Sequence, residues 1–346
     1  LRNNLKILSS VKTHLSYLNK PIKHIDIYSS VTEQLKIRFG YDFAIQFAPL
    51  FSDIFKKPAE ELSSICLLFT GFTRVVLDDL PKWKTESTNE IYRSLVGVPN
   101  QFNLPLNYMH NKRSFYAKGK GTQEFINGLE KKIISKGIKV IRNSKINKIC
   151  KIQKQIEFQE RDSIYKLGYD KILISSGVLS AIKLMQPTFK IDLTPPMKSA
   201  YINLELKYPT KNNLFYFYNY SSTLNFYRVT NYRAFSREKN DKRITIECFL
   251  PNENLDVYCQ KILYYLKSIN FIDSVEYNHC YFEEQFFGFP VLTIDNIKKM
   301  KVLSKHLDTL LDKSIQVSGV GTENFNFFTN EILINGLKKI DQLLLS

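Results

Sequence analysis

Apolar positions in the first 80 residues recur at three- and four-residue intervals, whereas those between 199 and 250 alternate with polar ones. The first pattern is that of helices packed by one face and the second that of half-buried strands. Leu5, Leu8, Val11 and Leu15 carry the helical rhythm of residues 1–27, which ends near Pro21. Ser30, Val31, Thr32 and Glu33 form a capping-box signature. It opens a helix through Val31, Leu35 and Phe39, with Gly40 placed to stop it. Further helices are predicted over 42–55 and 58–69, the second with Pro58 as its first helical residue. The stretch 81–111 holds Pro81, Pro99, Pro105 and the lone tryptophan, Trp83, and reads as a long connection.

From residue 115 the pattern changes to that of an α/β layer. A helix capped by Thr122 carries Phe125, Ile126, Leu129, Ile133 and Ile134 on one stripe and closes at Gly137. A strand over 138–141, a small meander (146–149, 155–158 and 163–167) and a buried strand over 171–176 follow. The alternating strands are expected at 201–206, 214–220, 224–230 and 244–249. Amphipathic helices over 254–269 and 294–311 flank a strand at 276–282. The tail from Gln316 reads strand, glycine turn (Gly319 and Gly321) and a helix from about Asn330. Free backbone N–H groups at such a helix start suit an anion.

The 346 residues suffice for two domains, and 44% hydrophobic with 24% charged residues is ordinary globular composition. No apolar run approaches the roughly 18 residues of a membrane span, and the N-terminus lacks a signal-peptide core. The net charge of +16 comes from lysines spread along the chain, without an arginine-rich block or a nucleic-acid motif. Nucleic acid is therefore not expected as a partner, while peripheral contact with an anionic membrane stays open. Cys66, Cys150, Cys248, Cys259 and Cys280 are odd in number and lack Cys-x-x-Cys spacing. They indicate a reducing, cytoplasmic setting rather than a disulfide or zinc framework. Neither G-x-S-x-G nor H-E-x-x-H occurs.

Four stretches, in this order, resemble the flavin-containing amine oxidase superfamily, which includes protoporphyrinogen oxidase-like proteins and, more distantly, UDP-galactopyranose mutase. The first runs from Ser30 through Arg38, Phe39 and Gly40 to Phe47 and Pro49, and on through Pro58, Glu60, Glu61, Leu62 and Ser63. The second is the turn 116–121 with its helix, and the third is 138–149 with 169–174. The tail is the fourth. The family's Gly-x-Gly-x-x-Gly turn has no counterpart, and the tail lacks the acidic residue that usually follows its first glycine.

The resemblance implies an α/β chain: a discontinuous Rossmann-like FAD-type domain without its N-terminal part, and an inserted α+β substrate domain with an antiparallel sheet. Residues 1–111 would be the helical part of the substrate domain and 187–290 its sheet. Residues 112–186 and 291–346 would belong to the cofactor domain. The implied cofactor is FAD, with the expectation that these 346 residues alone do not hold it in the family's manner. Its binding residues would be Gly119, Gly121, Ile146, Ser175, Ser176, Gly177, Gly319, Gly321, Asn324 and Asn330. Each is also explained as a turn, a cap or a core position.

In the sheet region, alternation sets Arg228, Thr230 and Tyr232 on one face and Asn231 and Arg233 on the other. Arg228 suits a carboxylate or phosphate, or else pairs with Glu247 across strands. Tyr216, Tyr218 and Asn231 are the other candidate substrate residues, and no catalytic residue is assigned. Three functions are expected: an FAD-dependent oxidoreductase acting on a small organic substrate; a mutase-like flavoenzyme of sugar or polysaccharide biosynthesis; or a non-catalytic relative without flavin.

Overall fold

The computed structural model describes residues 5–22, 24–99, 121–220, 224–289, 291–322 and 329–345. The chain divides into one unit of Leu1–Glu130 with Thr194–Ile294 and a second of Lys131–Leu193 with Asp295–Ser346. It is mixed α/β with antiparallel sheets.

The first unit begins with helices α1 (Leu5–Ser16), α2 (Val31–Phe39), α3 (Tyr41–Phe55), α4 (Cys66–Phe69), α5 (Leu80–Glu86) and α6 (Glu90–Leu95). The predicted capping box forms: Ser30 Oγ accepts from Glu33 N at 3.1 Å, and Glu33 Oε2 accepts from Ser30 N at 2.9 Å. Gly40, at φ +94°, then turns the chain directly into α3. Val31, Leu35, Phe39, Phe43, Phe51 and Phe55 share a buried core.

Two expectations fail here. The stretch 58–69 is helical only over the four residues of α4. Its backbone donors are drawn elsewhere, Ser63 N to Leu292 O at 2.8 Å and Ser64 N to Ser29 O at 3.0 Å. The hydroxyls of Ser63 and Ser64 bond Ile27 O and Asp26 O. Tertiary hydrogen bonds thus outweigh the helix signal of Pro58. Conversely, the supposed connection 81–111 contains the helices α5 and α6, capped by Asp79 and Asn89. Pro81 starts a helix there rather than breaking one. The remainder of that stretch, from residue 100, lies outside the described residues.

Helix α7 (Thr122–Ser135) contains the boundary between the units and buries none of its residues. Its predicted core stripe is open, with Phe125 59% and Ile134 54% exposed. Residues 138–141 join no strand among the described residues, so the strand expected there is not formed with them.

The second unit contains an antiparallel meander, β1 (Ser144–Cys150), β2 (Gln155–Glu160) and β3 (Ser163–Gly168). Strand β4 (Ile172–Ile174) and helix α8 (Gly177–Met185) follow. The chain returns to the first unit for β5 (Met197–Leu206), β6 (Tyr216–Tyr218), β7 (Phe226–Asn231), α9 (Tyr232–Ser236), β8 (Arg243–Phe249), α10 (Leu255–Ser268) and β9 (Tyr277–Phe289). These five strands form one antiparallel sheet in the order β6-β7-β8-β5-β9. One face packs Ile202, Leu204, Val229 and Ile246 against Ile262, Leu263 and Leu266 of α10.

Helix α11 (Ile294–Leu310), strand β10 (Ile315–Val317) and helix α12 (Thr329–Leu345) complete the chain. Strand β10 lies parallel to β4, with Gln316 opposite Leu173. Ile174, Val178, Ile182, Leu303, Leu307, Ile315 and Val317 form the second unit's own core. Among the described residues no helix is long and apolar enough to cross a membrane. The five cysteines are unpaired.

Candidate functional site

The open face of the five-stranded sheet carries the candidate site. Side chains alternate along each strand, so the residues between the core positions all point away from α10. A bulge between Phe226 and Arg228 brings Arg228 opposite Glu247. Register then aligns two rows across all five strands. One row is Tyr218, Arg228, Glu247, Tyr201 and Glu283; the other is Tyr216, Thr230, Thr245, Asn203 and Tyr281.

Over these rows lies an open cavity of about 530 Å³, lined among others by Tyr201, Tyr216, Arg228, Tyr232, Phe235, Glu247 and Glu283. Its floor is tied together by hydrogen bonds: Thr245 Oγ1 to Asn203 Oδ1 at 2.6 Å, and the Tyr232 hydroxyl with Thr245 Oγ1 at 3.2 Å.

Arg228 Nε donates to Glu247 Oε1 at 2.5 Å. The carboxylate side chain is only 8% exposed and the guanidinium side chain 38%. Burial by itself pulls the Arg228 pKa down; the bond and charge of Glu247 outweigh it, and the guanidinium ends above its ordinary value. The Tyr218 hydroxyl bonds the same guanidinium. Burial raises Tyr201 and Tyr218, and Glu247 raises Tyr201 further. Both phenols therefore stay protonated at neutral pH and keep a proton to donate. The lining sets one arginine against two glutamates, and the arginine is already engaged.

The candidate residues separate clearly. Tyr216 and Arg228 line the cavity, as the alternation of β7 requires, and Tyr218 stands beside them in the row. Asn231 does not reach it. Its Oδ1 accepts from Thr210 Oγ1 at 3.2 Å, and its Nδ2 donates to Asn212 O and Leu214 O at 3.2 and 3.0 Å. It is fully buried and fastens a loop to the other face. Tyr201, Asn203, Thr245 and Glu283 were missed. Their alternation in β5, β8 and β9 was visible, but the register that collects them on one patch was not.

In the second unit, Gly177 at φ +85° and Gly319 at φ +113° lie back to back. A Cβ on Gly177 would stand 2.4 Å from Val320 O, and one on Gly319 would stand 2.5 Å from Ser175 O. Gly321, at φ +83°, has Met300 Cε 2.6 Å from where its Cβ would be. Gly177 N donates to Ser318 O and Val178 N to Val320 O, at 3.0 and 3.2 Å. The first amides of α8 are thus spent on the tail strand. Ser175 and Ser176 are exposed at the end of β4, and Ile146 on β1 is 45% exposed. Gly121 is buried at φ +63°, just before α7. Gly119 and Asn324 lie outside the described residues, as does the side chain of Asn330, which is in the first turn of α12.

In the resemblance, the tail turn would be the cradle for the pyrophosphate of FAD. Close backbone packing accounts for Gly177 and Gly319, and the amides of Gly177 and Val178 are taken. Thr322 Oγ1 bonds Gly319 O at 2.6 Å, and Asn335 Nδ2 bonds Thr322 Oγ1 at 3.3 Å. One buried atom, Asn335 Oδ1, lacks a partner, and it is an acceptor that repels phosphate oxygens. The described residues of the tail turn do not form a phosphate cradle. No group of three His, Cys, Asp or Glu side chains among them is placed to hold a metal.

No family model matches the sequence, and no curated protein does either. Solved structures do. The whole chain superposes on 73% of a reduced UDP-galactopyranose mutase, with a TM-score of 0.67 at 14% identity. A protoporphyrinogen oxidase-like protein from Exiguobacterium sp. 255-15 matches 98% of the chain over 72% of its own, with a TM-score of 0.61 at 12% identity. The fold is that of the flavin amine oxidase type. The PF1083 protein of Pyrococcus furiosus also matches the entire chain over 74% of its own, with a TM-score of 0.51 at 15% identity. Such identities show the fold and leave the chemistry to the site.

Proposed function

We propose that the chain serves an FAD-dependent oxidoreductase of the amine oxidase or protoporphyrinogen oxidase-like type, with the sheet cavity of its first unit selecting a small organic substrate. The observation that carries this reading is the pair of cross-strand rows, which gathers four tyrosines, an arginine and two glutamates from distant stretches onto one open face. A sheet face that served only as surface would not need a buried carboxylate held by an arginine. The parallel pair β4–β10, made from segments far apart in sequence, supports a discontinuous Rossmann-like domain around an inserted substrate unit. The phosphate-binding part of such a domain would come from residues other than those described.

Charge decides between substrate classes. An anion approaching Arg228 must compete with Glu247 for a charge-assisted bond and then meets Glu283. A neutral or cationic substrate faces no such competition, and the tyrosine faces attract cations. This favours the oxidoreductase over a mutase acting on an anionic nucleotide-sugar, although the mutase superposes with the higher TM-score of the two.

A specific observation also favours the flavin-less alternative: the space beside Gly319 is filled by the protein's own backbone and that beside Gly321 by Met300. Reconstitution separates the two. Purified protein incubated with FAD and desalted should retain yellow flavin absorbance if the enzyme reading holds. A protein that emerges colourless while remaining folded by circular dichroism overturns it. The substrate reading is tested apart from flavin by thermal shift against a panel of amines and nucleotide-sugars. Stabilisation by amines that is lost in Tyr216→Ala supports the cavity, and stabilisation by the nucleotide-sugars alone refutes the charge argument.

A further inference from the structure

Among the helices of the first unit lies a different cleft, of about 540 Å³, with Arg38, Arg74 and Arg93 in its lining and, among the described residues, Glu90 as the one carboxylate there. Ile25 and Leu68 give it an apolar side. Arg38 comes from the last turn of α2, the helix fixed by the Ser30–Glu33 box.

Arg38 is only 3% exposed. One guanidinium nitrogen, Nη2, donates to Thr73 O at 2.9 Å. The other two, Nε and Nη1, are buried without a hydrogen-bond partner. Glu90 lies 3.5 Å from Arg93, three residues along its own helix, and the charge acting on Arg38 is that of Arg74. Burial, and secondarily the charge of Arg74, pull the Arg38 pKa down to about 10. At neutral pH the group still carries its charge.

The plain alternative is that Arg38 merely ties α2 to the loop at Thr73. One neutral donor would do that without burying a charge. An uncompensated buried charge is unfavourable, and two buried donors without acceptors add to that cost. A counter-ion in the cleft offsets both costs at once. The contrast with the sheet cavity is direct: Arg228 has Glu247, and Arg38 has no carboxylate of its own.

We propose that this cleft binds a small oxyanion, phosphate or carboxylate, with buried Arg38 as its counter-charge and Arg74 and Arg93 at its exposed side. The site is separate from the sheet cavity and does not depend on flavin.

The test is a titration of the purified protein with inorganic phosphate, pyrophosphate and acetate at about 0.15 M salt, read by thermal shift and calorimetry. One of these anions is expected to raise Tm saturably, and phosphate against acetate distinguishes the two chemistries. Arg38→Met should abolish the shift while leaving the anion-free protein as stable as the parent or more so. Arg74→Ala, at an exposed position, should weaken binding about tenfold, or 1.4 kcal/mol. It carries the test if Arg38→Met does not fold. Arg228→Ala should leave anion binding unchanged. The proposal is overturned if no anion gives a saturable response below about 10 mM, or if binding survives both Arg38→Met and Arg74→Ala.

Discussion

Helices α10 and α12 are both amphipathic, and the structure uses them in opposite ways. Helix α10 turns Tyr258, Cys259, Ile262, Leu263 and Leu266 into the core under the sheet. Helix α12 places Ile332, Asn335, Gly336, Lys339 and Leu343 on its more buried side. Its regular apolar stripe, Leu333, Leu337, Ile340 and Leu344, is 61%, 64%, 39% and 72% exposed. The Ser318 hydroxyl bonds Ile332 O at 3.4 Å, and Gly336 admits that hydroxyl, which lies 3.4 Å from where a Cβ would stand. The inward side of α12 therefore mixes small and polar groups with Ile332 and Leu343 and leaves most of the helix's apolar area outside. A helix apolar on more than its contact side is one meant to be surrounded. The described residues supply neighbours for one side only, and α7 shares the condition.

That contrast can be broken by substitution. The largest effect belongs to α10: Leu263→Ala, at a fully buried position, should lose about 3 kcal/mol in urea unfolding. Arg228→Ala strands the buried Glu247 and should cost about 2 kcal/mol, less than a fully buried pair because the arginine is partly open. Pairing it with Glu247→Gln should recover most of that loss, and a double mutant as unstable as the sum of its parts would sink the pair's role. Gly319→Ala forces a Cβ onto Ser175 O at a positive φ and should cost more than about 1 kcal/mol. The smallest effect belongs to α12, where Leu337→Ala should change stability by no more than about 0.5 kcal/mol. A loss approaching that of Leu263→Ala would mean the stripe is covered in solution.

Local signals were the legible ones. The Ser30–Glu33 box, the Gly40 stop and the alternation that sends Arg228 and Thr230 to one face each depend on a few neighbouring residues. Features set by distant partners were not legible. Nothing near Ser63 and Ser64 announces that Asp26, Ile27, Ser29 and Leu292 will claim their donors. Asn231 and Arg228 looked alike as polar strand residues until the fold gave one a loop to hold and the other a cavity. The tail glycines were read as open to a ligand, but the same residue type is required where two backbones touch. For Arg38, a sequence shows the charge and not the missing partner.

The two cross-strand rows also say how this protein can change. Because side chains alternate, every row member has a strand neighbour that serves only the core: Ile202 between Tyr201 and Asn203, and Ile246 between Thr245 and Glu247. Recognition and folding are written on alternate letters of the same strands. Selection can rewrite what the patch accepts, residue by residue, while the face against α10 stays constant.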